Sequence, residues 1–364
     1  MQPITVMNLV DSLDFGGTER MAINIVNHLP ADKYRAVLCT TRHEGALAKL
    51  VSPHVVRLRL TRRCVSDHLA SIRTLRTFIE ENDVRILHAH SSSIFISRLA
   101  MALTKRTALV WHAHWGAIAL KDCPAWPYRV ASLGIDAAIG VNRDLVDWIR
   151  RRFPIRDDRV WYLPNIATAA AEQSAIPGDL PGVPGKRIVC VANIRPEKDH
   201  ITLVRAMALL CRKDPEAHLI LVGVPLISNS VEALRREIDV LGLRKQITYL
   251  GPREDAQAIM QKCDIGVLSS VSEGLPVALL EYGMANLAVV ATPAGQTADV
   301  VGSSDAGLMV PCQSPGALAD ALEQLLRDPA LRNKLAKAFN SRITVHYGAK
   351  AVVEQLTQIY DVIL

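Results

Sequence analysis

Two carboxylates, two cations and a set of histidines are the residues of this chain whose types and spacing could do chemistry. The stretch Val267–Thr292, "VLSSVSEGLPVALLEYGMANLAVVAT", reads as an apolar strand, a turn, a helix and a second apolar strand. Glu273 falls in the turn and Glu281 in the helix, eight residues on. An unpaired carboxylate buried among Val, Ala, Leu and Met costs several kcal/mol or shifts its pKa. A glycosidase acid and base would use such a pair, but nothing in the spacing aims both acids at one bond. Two separate hydroxyl clamps fit better, because an ionised carboxylate accepts two hydrogen bonds from a vicinal diol. Ser270 precedes the turn, and Gly274, Leu275 and Pro276 follow Glu273. Pro276 suits the first helical turn, and the N–H groups of Gly274 and Leu275 are expected to meet a ligand.

The cations lie in "VCVANIRPEKDHITLVRAM". A strand ends near Asn193, a helix opens near His200, and Arg195 and Lys198 occupy the turn between. Such a pair suits a diphosphate, since Arg binds two oxygens in a fork and Lys adds a point charge; a solvated polar loop is the plainer reading. The histidines cluster in "ILHAHSSS" and "LVWHAHWGA", where His88, His90, His112 and His114 end two successive strands. H-x-H spacing puts both rings of a strand on one face. Structural histidines and a substrate-contacting histidine are the two main readings. Metal is disfavoured because no acidic partner sits at a recognised ligand spacing. In "LVDSLDFGGTER", Gly16 and Gly17 stand between a first strand and a helix, where backbone N–H groups can approach an anion. A tight turn explains them equally, and the G-x-G-x-x-G dinucleotide fingerprint is not met.

The elements that must position these groups alternate along the chain. Apolar runs such as Thr5–Val10, Ile86–Ala89 and Ala108–His112 interleave with amphipathic stretches such as Gly17–Leu29 and His68–Glu81. This is the βαβ rhythm of a parallel doubly wound sheet. It breaks over Asn165–Arg187, rich in Pro, Gly and Ala, and restarts with Ile188–Ala192, Leu219–Gly223 and Ile265–Ser269. The expected layout is a domain over 1–165, a linker over 166–186 and a second domain over 187–348. A last helix, 349–364, follows "FNSRITVHYG", read as a break, and packs on the second domain or back onto the first. In open parallel sheets, ligands bind beyond the carboxyl ends of the strands, so two such domains meeting at those ends would form a cleft.

With 364 residues, two domains are the default. The chain is 49% hydrophobic and 21% charged, as in globular proteins. Its beginning reads as a strand rather than a signal peptide, and no apolar run is long enough to cross a bilayer. Seven scattered cysteines without C-x-x-C fit a reduced, cytosolic setting. Residues 1–165 hold 23 Lys and Arg against 15 Asp and Glu, a net +8, leaving a net −2 for the remainder. A basic first half suggests an anionic partner. With 5% aromatic residues and no nucleic-acid-binding spacing, nucleic acid is not expected.

Taken together, Ser270, Glu273, Gly274, Pro276 and Glu281 in S-x-x-E-G-x-P and E-x7-E, the R-P-E-K turn, "FGGTER" and "WHAHW" resemble a family 4 retaining glycosyltransferase. The likeness is to the bacterial polysaccharide and lipopolysaccharide type (glycosyl transferases group 1) and runs over essentially the whole chain. It implies the α/β GT-B fold, with two Rossmann-like parallel-sheet domains facing across a cleft. It further implies hexosyl transfer from a nucleotide-diphosphate sugar to an acceptor hydroxyl, with retained configuration and neither metal nor cofactor. The resemblance assigns Glu273 to donor-sugar hydroxyls and Glu281 to the ribose diol. Ser270 and Pro276 belong to the same donor motif, and the amides of Gly274 and Leu275 go to the sugar and phosphates. Arg195 and Lys198 take the diphosphate, Gly17 lies near donor phosphate and acceptor, and His114 lies close to the reacting sugar. The chain departs from the family at Asn193, where Arg is frequent, and at Asn165-Ile166, Asn286, Ala288 and Asp299.

The first domain would hold a sugar or lipid-linked saccharide acceptor. Its arginines at 57, 59, 62, 63, 73, 76 and 150–152 would give peripheral contact with an anionic inner membrane face. Alternatives are a nucleotide-sugar epimerase or a phosphorylase on the same fold, a non-catalytic nucleotide-sugar-binding protein, and an NAD oxidoreductase.

Overall fold

Strands buried on both faces must be apolar along their whole length, and the runs of Val, Ile, Leu and Ala in this sequence meet that condition. In the computed structural model they form two all-parallel sheets. The described residues are 2–14, 16–62, 66–101, 106–114, 125–168, 179–227 and 229–364. Arg63, Trp115 and the linker residues 169–178 lie outside them. The chain divides into two compact units, Met1–Ile166 with Ala349–Leu364, and Ala167–Gly348.

The first unit runs β1 (Ile4–Val10), α1 (Gly17–His28), β2 (Tyr34–Thr40), β3 (Val56–Arg59), α2 (Ser66–Glu81), β4 (Val84–His90) and α3 (Ile94–Met101). It continues through β5 (Ala108–Ala113), α4 (Ala125–Ala131), β6 (Ala137–Gly140), α5 (Arg143–Arg152) and β7 (Val160–Tyr162). The strand order is β3-β2-β1-β4-β5-β6-β7, so the winding reverses between β1 and β4. Val6 and Val10 face one core, with α1, while Met7 and Leu9 face the other. On the α1 face the stripe turns polar toward the strand ends: Asn8 follows Val6, His88 and His90 follow Ile86, and His112 follows Val110. The register aligns Asn8 with His88 and His90 with His112.

The second unit contains β8 (Arg187–Val191), α6 (His200–Leu210), β9 (His218–Val222), α7 (Ser230–Val240), β10 (Ile247–Tyr249), α8 (Ala256–Gln261) and β11 (Ile265–Leu268). It is completed by α9 (Val277–Met284), β12 (Ala288–Ala291), α10 (Thr297–Val301), β13 (Leu308–Met309), α11 (Pro315–Arg327) and α12 (Pro329–Tyr347). The order β10-β9-β8-β11-β12-β13 reverses between β8 and β11. Leu180 and Gly182, ahead of β8, are held to this unit by the Arg187 guanidinium, which donates to both carbonyls at 2.9 Å.

The stretch read as a break, "FNSRITVHYG", is helical up to Tyr347. Phe339, Ile343 and Tyr347 recur every four residues and are buried, so the apolar stripe outweighs the poor propensity of Asn340, Ser341 and Thr344. Close packing at Gly283 of α9 permits it, since a Cβ there would lie 2.3 Å from Ile343 Cγ1. The real interruption is at Asp328-Pro329, where Asp328 accepts from Leu331 N at 2.9 Å and caps α12.

The chain crosses between units twice at adjacent points, with Ala167 N donating to Tyr347 O at 2.7 Å. The last helix, α13 (Ala349–Ile363), belongs to the first unit and buries Val352, Val353, Leu356, Ile359 and Tyr360 in the core lined by α1. Lys33 and Asp361 pair at 2.8 Å at its edge.

Candidate functional site

In the second unit the winding reversal places the ends of β8 and β11 side by side, the position at which open α/β sheets bind ligands. After β8 the chain makes one 3-10 turn, Pro196–Lys198, and Asp199 then caps α6 from the left-handed region (φ 47°), accepting from Thr202 N at 3.2 Å. Ser269, just past β11, donates to Lys198 O at 2.9 Å, and Val271 N donates to Glu197 O at 2.8 Å. These two bonds lock the cationic turn to the acidic one.

The lock brings Lys198 onto Glu273. Lys198 Nζ donates to Glu273 Oε1 at 2.5 Å, and Ser270 Oγ donates to the same oxygen at 2.6 Å. The Lys198 and Glu273 side chains are only 13% and 6% exposed, so this is a nearly buried pair. Lys198 retains two further N–H donors beyond that bond. Arg195 is apart from the pair: its Nε lies 3.9 Å from Glu197 Oε2, and its side chain is 41% exposed. At the position where the family often has Arg, Asn193 accepts from Val224 N at 3.1 Å and ties the ends of β8 and β9.

Pro276 is the N-cap of α9, and Glu281 is the fifth residue of that helix, half-buried. Its neighbour Tyr282 fixes the helix: the phenol accepts from Val191 N at 2.7 Å and donates to Val267 O at 3.2 Å. Gly266 makes room for that ring, since a Cβ there would come within 2.6 Å of it. Leu275 is buried in the core beside α9.

Sequence reasoning passed over the loop after β12. Thr292 Oγ1 donates to Ser270 O at 2.5 Å and Gln296 N to Gly274 O at 3.0 Å. Gly295 has φ +54°, and a Cβ on it would fall 2.2 Å from Glu273 O. A glycine in "TPAGQ", directly after an apolar strand, was the available signal. A cavity of about 580 Å³ opens at the ends of β9 and β10, lined by Pro225, Leu226, Ile227, Arg235, Tyr249 and Pro252 among others.

In the first unit all four histidines meet. His88 Nε2 lies 3.0 Å from His112 Nδ1, and His88 Nδ1 lies 2.6 Å from Tyr360 Oη on α13. His90 Nδ1 lies 2.9 Å from His114 Nε2, and His90 Nε2 lies 3.0 Å from Asn8 Oδ1. Desolvation favours the neutral rings, pushing His88 and His114 down to about 3 and His90 and His112 well below the usual imidazole value. The ligand atoms of His88, His90 and His112 lie within 4.8 Å of one another. A tetrahedral zinc ion sets its bound nitrogens about 3.4 Å apart, and the 3.0 Å between His88 Nε2 and His112 Nδ1 is instead a hydrogen-bond separation.

At the reversal in the first unit's own sheet, Asp11 follows β1 and accepts from Thr41 Oγ1 at 2.5 Å, Ser92 Oγ at 2.6 Å and Arg62 at 3.2 Å. Gly16 caps α1 and Gly17 is its first residue. The Glu19 carboxylate folds over Gly16, leaving 2.2 Å to the place of a Cβ, and burial raises its pKa. An anion at this helix end would meet that acid. The arginines grouped by the sequence are partly committed: Arg57 and Arg59 pair with Glu44, Arg62 with Asp11, and Arg76 with Glu80.

The family described as "Glycosyltransferase Family 4" matches residues 15–167, and "Glycosyl transferases group 1" matches residues 180–342. A D-inositol 3-phosphate glycosyltransferase of Corynebacterium glutamicum is 30% identical over 182 residues, covering 48% of this chain and 43% of that protein. The lipopolysaccharide core biosynthesis mannosyltransferase LpcC of Rhizobium leguminosarum bv. viciae is 29% identical over 153 residues, covering 41% of this chain and 44% of that one. Each match therefore spans less than half of the relative. The crystal structure of Anabaena HepE in complex with UDP and glucose superposes with a TM-score of 0.79 at 17% identity, covering 99% of this chain and 100% of that one. At that identity the likeness is one of fold, GT-B. The chain belongs to the family 4, group 1 glycosyltransferases.

Proposed function

We propose that the chain transfers a hexosyl group from a nucleotide-diphosphate sugar to an acceptor hydroxyl, with retained anomeric configuration and without a metal or other cofactor. The observation that carries this reading is the Lys198–Glu273–Ser270 cluster at the reversal between β8 and β11. A carboxylate held by a cation and a hydroxyl keeps lone pairs for sugar hydroxyls, and the ammonium keeps donors for a diphosphate. As the leaving diphosphate gains charge, Lys198 and Arg195 stabilise it. Glu281 binds the ribose diol, and the backbone of Gly274 and Leu275 meets the sugar and phosphates, within the motif bounded by Ser270 and Pro276. In the first unit, His114 contacts the reacting sugar and Gly17 lies near phosphate and acceptor.

The test is a thermal-shift panel of UDP, GDP, ADP and their sugars in chelator, followed by turnover with product stereochemistry. Stabilisation that requires added metal contradicts the metal-free reading, and an inverted product contradicts retention. Release of a free epimer without acceptor would mark an epimerase instead.

The acceptor reading is a saccharide, free or lipid-linked, in bacterial surface polysaccharide or glycolipid assembly. It is supported by the likeness to LpcC and by the net +8 of residues 1–165. No helix among the described residues is long and apolar enough to cross a membrane. A cytoplasmic enzyme in peripheral contact with anionic lipid is the proposal. Equal recovery in the supernatant, with and without anionic vesicles, would end it.

A further inference from the structure

We infer that Asn8 and His90 are positioning residues for His114, holding its ring as the Nε2–H tautomer. Nδ1 is then left to accept a hydrogen bond from a substrate hydroxyl. The inference rests on the sugar-contact reading of His114 given above.

A neutral imidazole has one N–H and one lone pair, so the partner of one nitrogen decides the role of the other. Asn8 Oδ1 can only accept, and it lies 3.0 Å from His90 Nε2. His90 therefore carries its proton on Nε2, and its Nδ1 is a lone pair. That lone pair lies 2.9 Å from His114 Nε2, which must donate. His114 Nδ1 is left bare, and among the described residues it has no hydrogen-bond partner.

Packing prevents the rings from turning over. His90 stacks on His88 at 4.7 Å with a 9° interplanar angle, and on His114 at 5.1 Å with 23°. The His112 ring lies 4.2 Å from that of His114. The other chain of bonds, His112 to His88 to Tyr360, ends on α13 and makes no hydrogen bond with His114. Asn8, His88, His90 and His112 are buried, while His114, one residue past β5, is half-buried. It is the end of the network that a ligand can reach. A bare Nδ1 selects a donor such as a hydroxyl, whereas an Nδ1–H would select an oxygen acceptor such as a phosphate.

The test uses the full chain labelled with 15N-histidine, with His114→Gln to assign the ring. Two-bond proton–nitrogen correlation at neutral pH should show protonated Nε2 and unprotonated Nδ1 at both His90 and His114. Asn8→Asp, which keeps an acceptor, should preserve the His114 pattern. Asn8→Leu should mix the His114 tautomers and lower kcat/KM at least tenfold. A protonated Nδ1 on His114 in the unmodified protein, or an unchanged His114 pattern in Asn8→Leu, overturns the proposal. If Asn8→Leu does not fold, the unmodified and Asn8→Asp spectra still decide. A fixed Nε2–H tautomer in a chain that turns over no donor counts against glycosyl transfer, not against the relay.

Discussion

Tyr360 on the last helix and His88 on the fourth strand are joined at 2.6 Å through Oη and Nδ1, both fully buried, although 272 residues separate them. The C-terminal helix is thus an integral layer of the first unit, covering the face on which the histidines sit. Tyr360→Phe should leave His88 Nδ1 without a partner and cost the first unit about 1–3 kcal/mol. Removing 349–364 would expose Val352, Leu356 and Tyr360 and should unfold that unit. Hydrogen exchange resolves the two units where a single melting curve would merge them. Unchanged protection of β1, β4 and β5 in either variant would contradict the packing.

The same buried cluster makes stability depend on pH. Fully buried His88 has a folded value of about 3 against the ordinary 6.5, and burial holds His90 and His112 low in the same way, so the unfolded chain binds protons that the folded unit refuses. Stability is therefore fully present above pH 6.5 and is lost as pH falls from 6.5 toward 3. Once pH is well below 6.5, each such ring withdraws about 1.4 kcal/mol per pH unit. Denaturation midpoints at pH 8, 7, 6, 5 and 4.5 should be level at first and then fall steeply. A flat profile down to pH 4.5 would mean that the rings are hydrated or already protonated.

Much of this was legible in the sequence because it is local. Ile86–Ala89 and Ala108–His112 declared themselves as strands by apolar content, and H-x-H alternation placed the rings of each strand on one face. What was not legible is what the sheets bring together. Lys198 and Glu273 are 75 residues apart and meet only because β8 and β11 are neighbours at the winding reversal. Asn8 looked like an ordinary strand residue until the register aligned it with His88. The helix through "FNSRITVHYG" was hidden because many of its residues are poor helix formers, and tertiary packing, against Gly283 among others, is what rewards the Phe339–Ile343 stripe.

The Lys198–Glu273 pair predicts a specific non-additivity. Lys198→Ala leaves Glu273 nearly buried with its charge uncompensated, a loss of about 3–5 kcal/mol for fully buried pairs and somewhat less here. Adding Glu273→Gln removes the orphaned charge, so the double variant should melt above Lys198→Ala alone. Both single variants should lose turnover more than 100-fold. If the double variant is no more stable than Lys198→Ala, the pair contributes nothing mutual to the fold. If turnover survives in both single variants, the site assignment is wrong.

Gly295 offers a test of the acidic turn that leaves its charges in place. The residue sits at φ +54°, which an L side chain rarely adopts, and any Cβ would press on the carbonyl of Glu273. Gly295→Ala carries the strain of the left-handed backbone, about 1–2 kcal/mol, and must also push the Glu273–Gly274 peptide away. Lys198, Ser270 and Glu273 are retained, so a defect reports on position rather than on charge. The expected result is a modest fall in melting temperature with at least a tenfold loss of kcat/KM, and weaker binding of the nucleotide sugar than of the bare nucleotide. Because Glu281 is held separately by Tyr282 on α9, affinity for the nucleotide alone should change little. Equal weakening of both ligands would mean that the loop after β12 supports the whole site rather than the turn carrying Glu273.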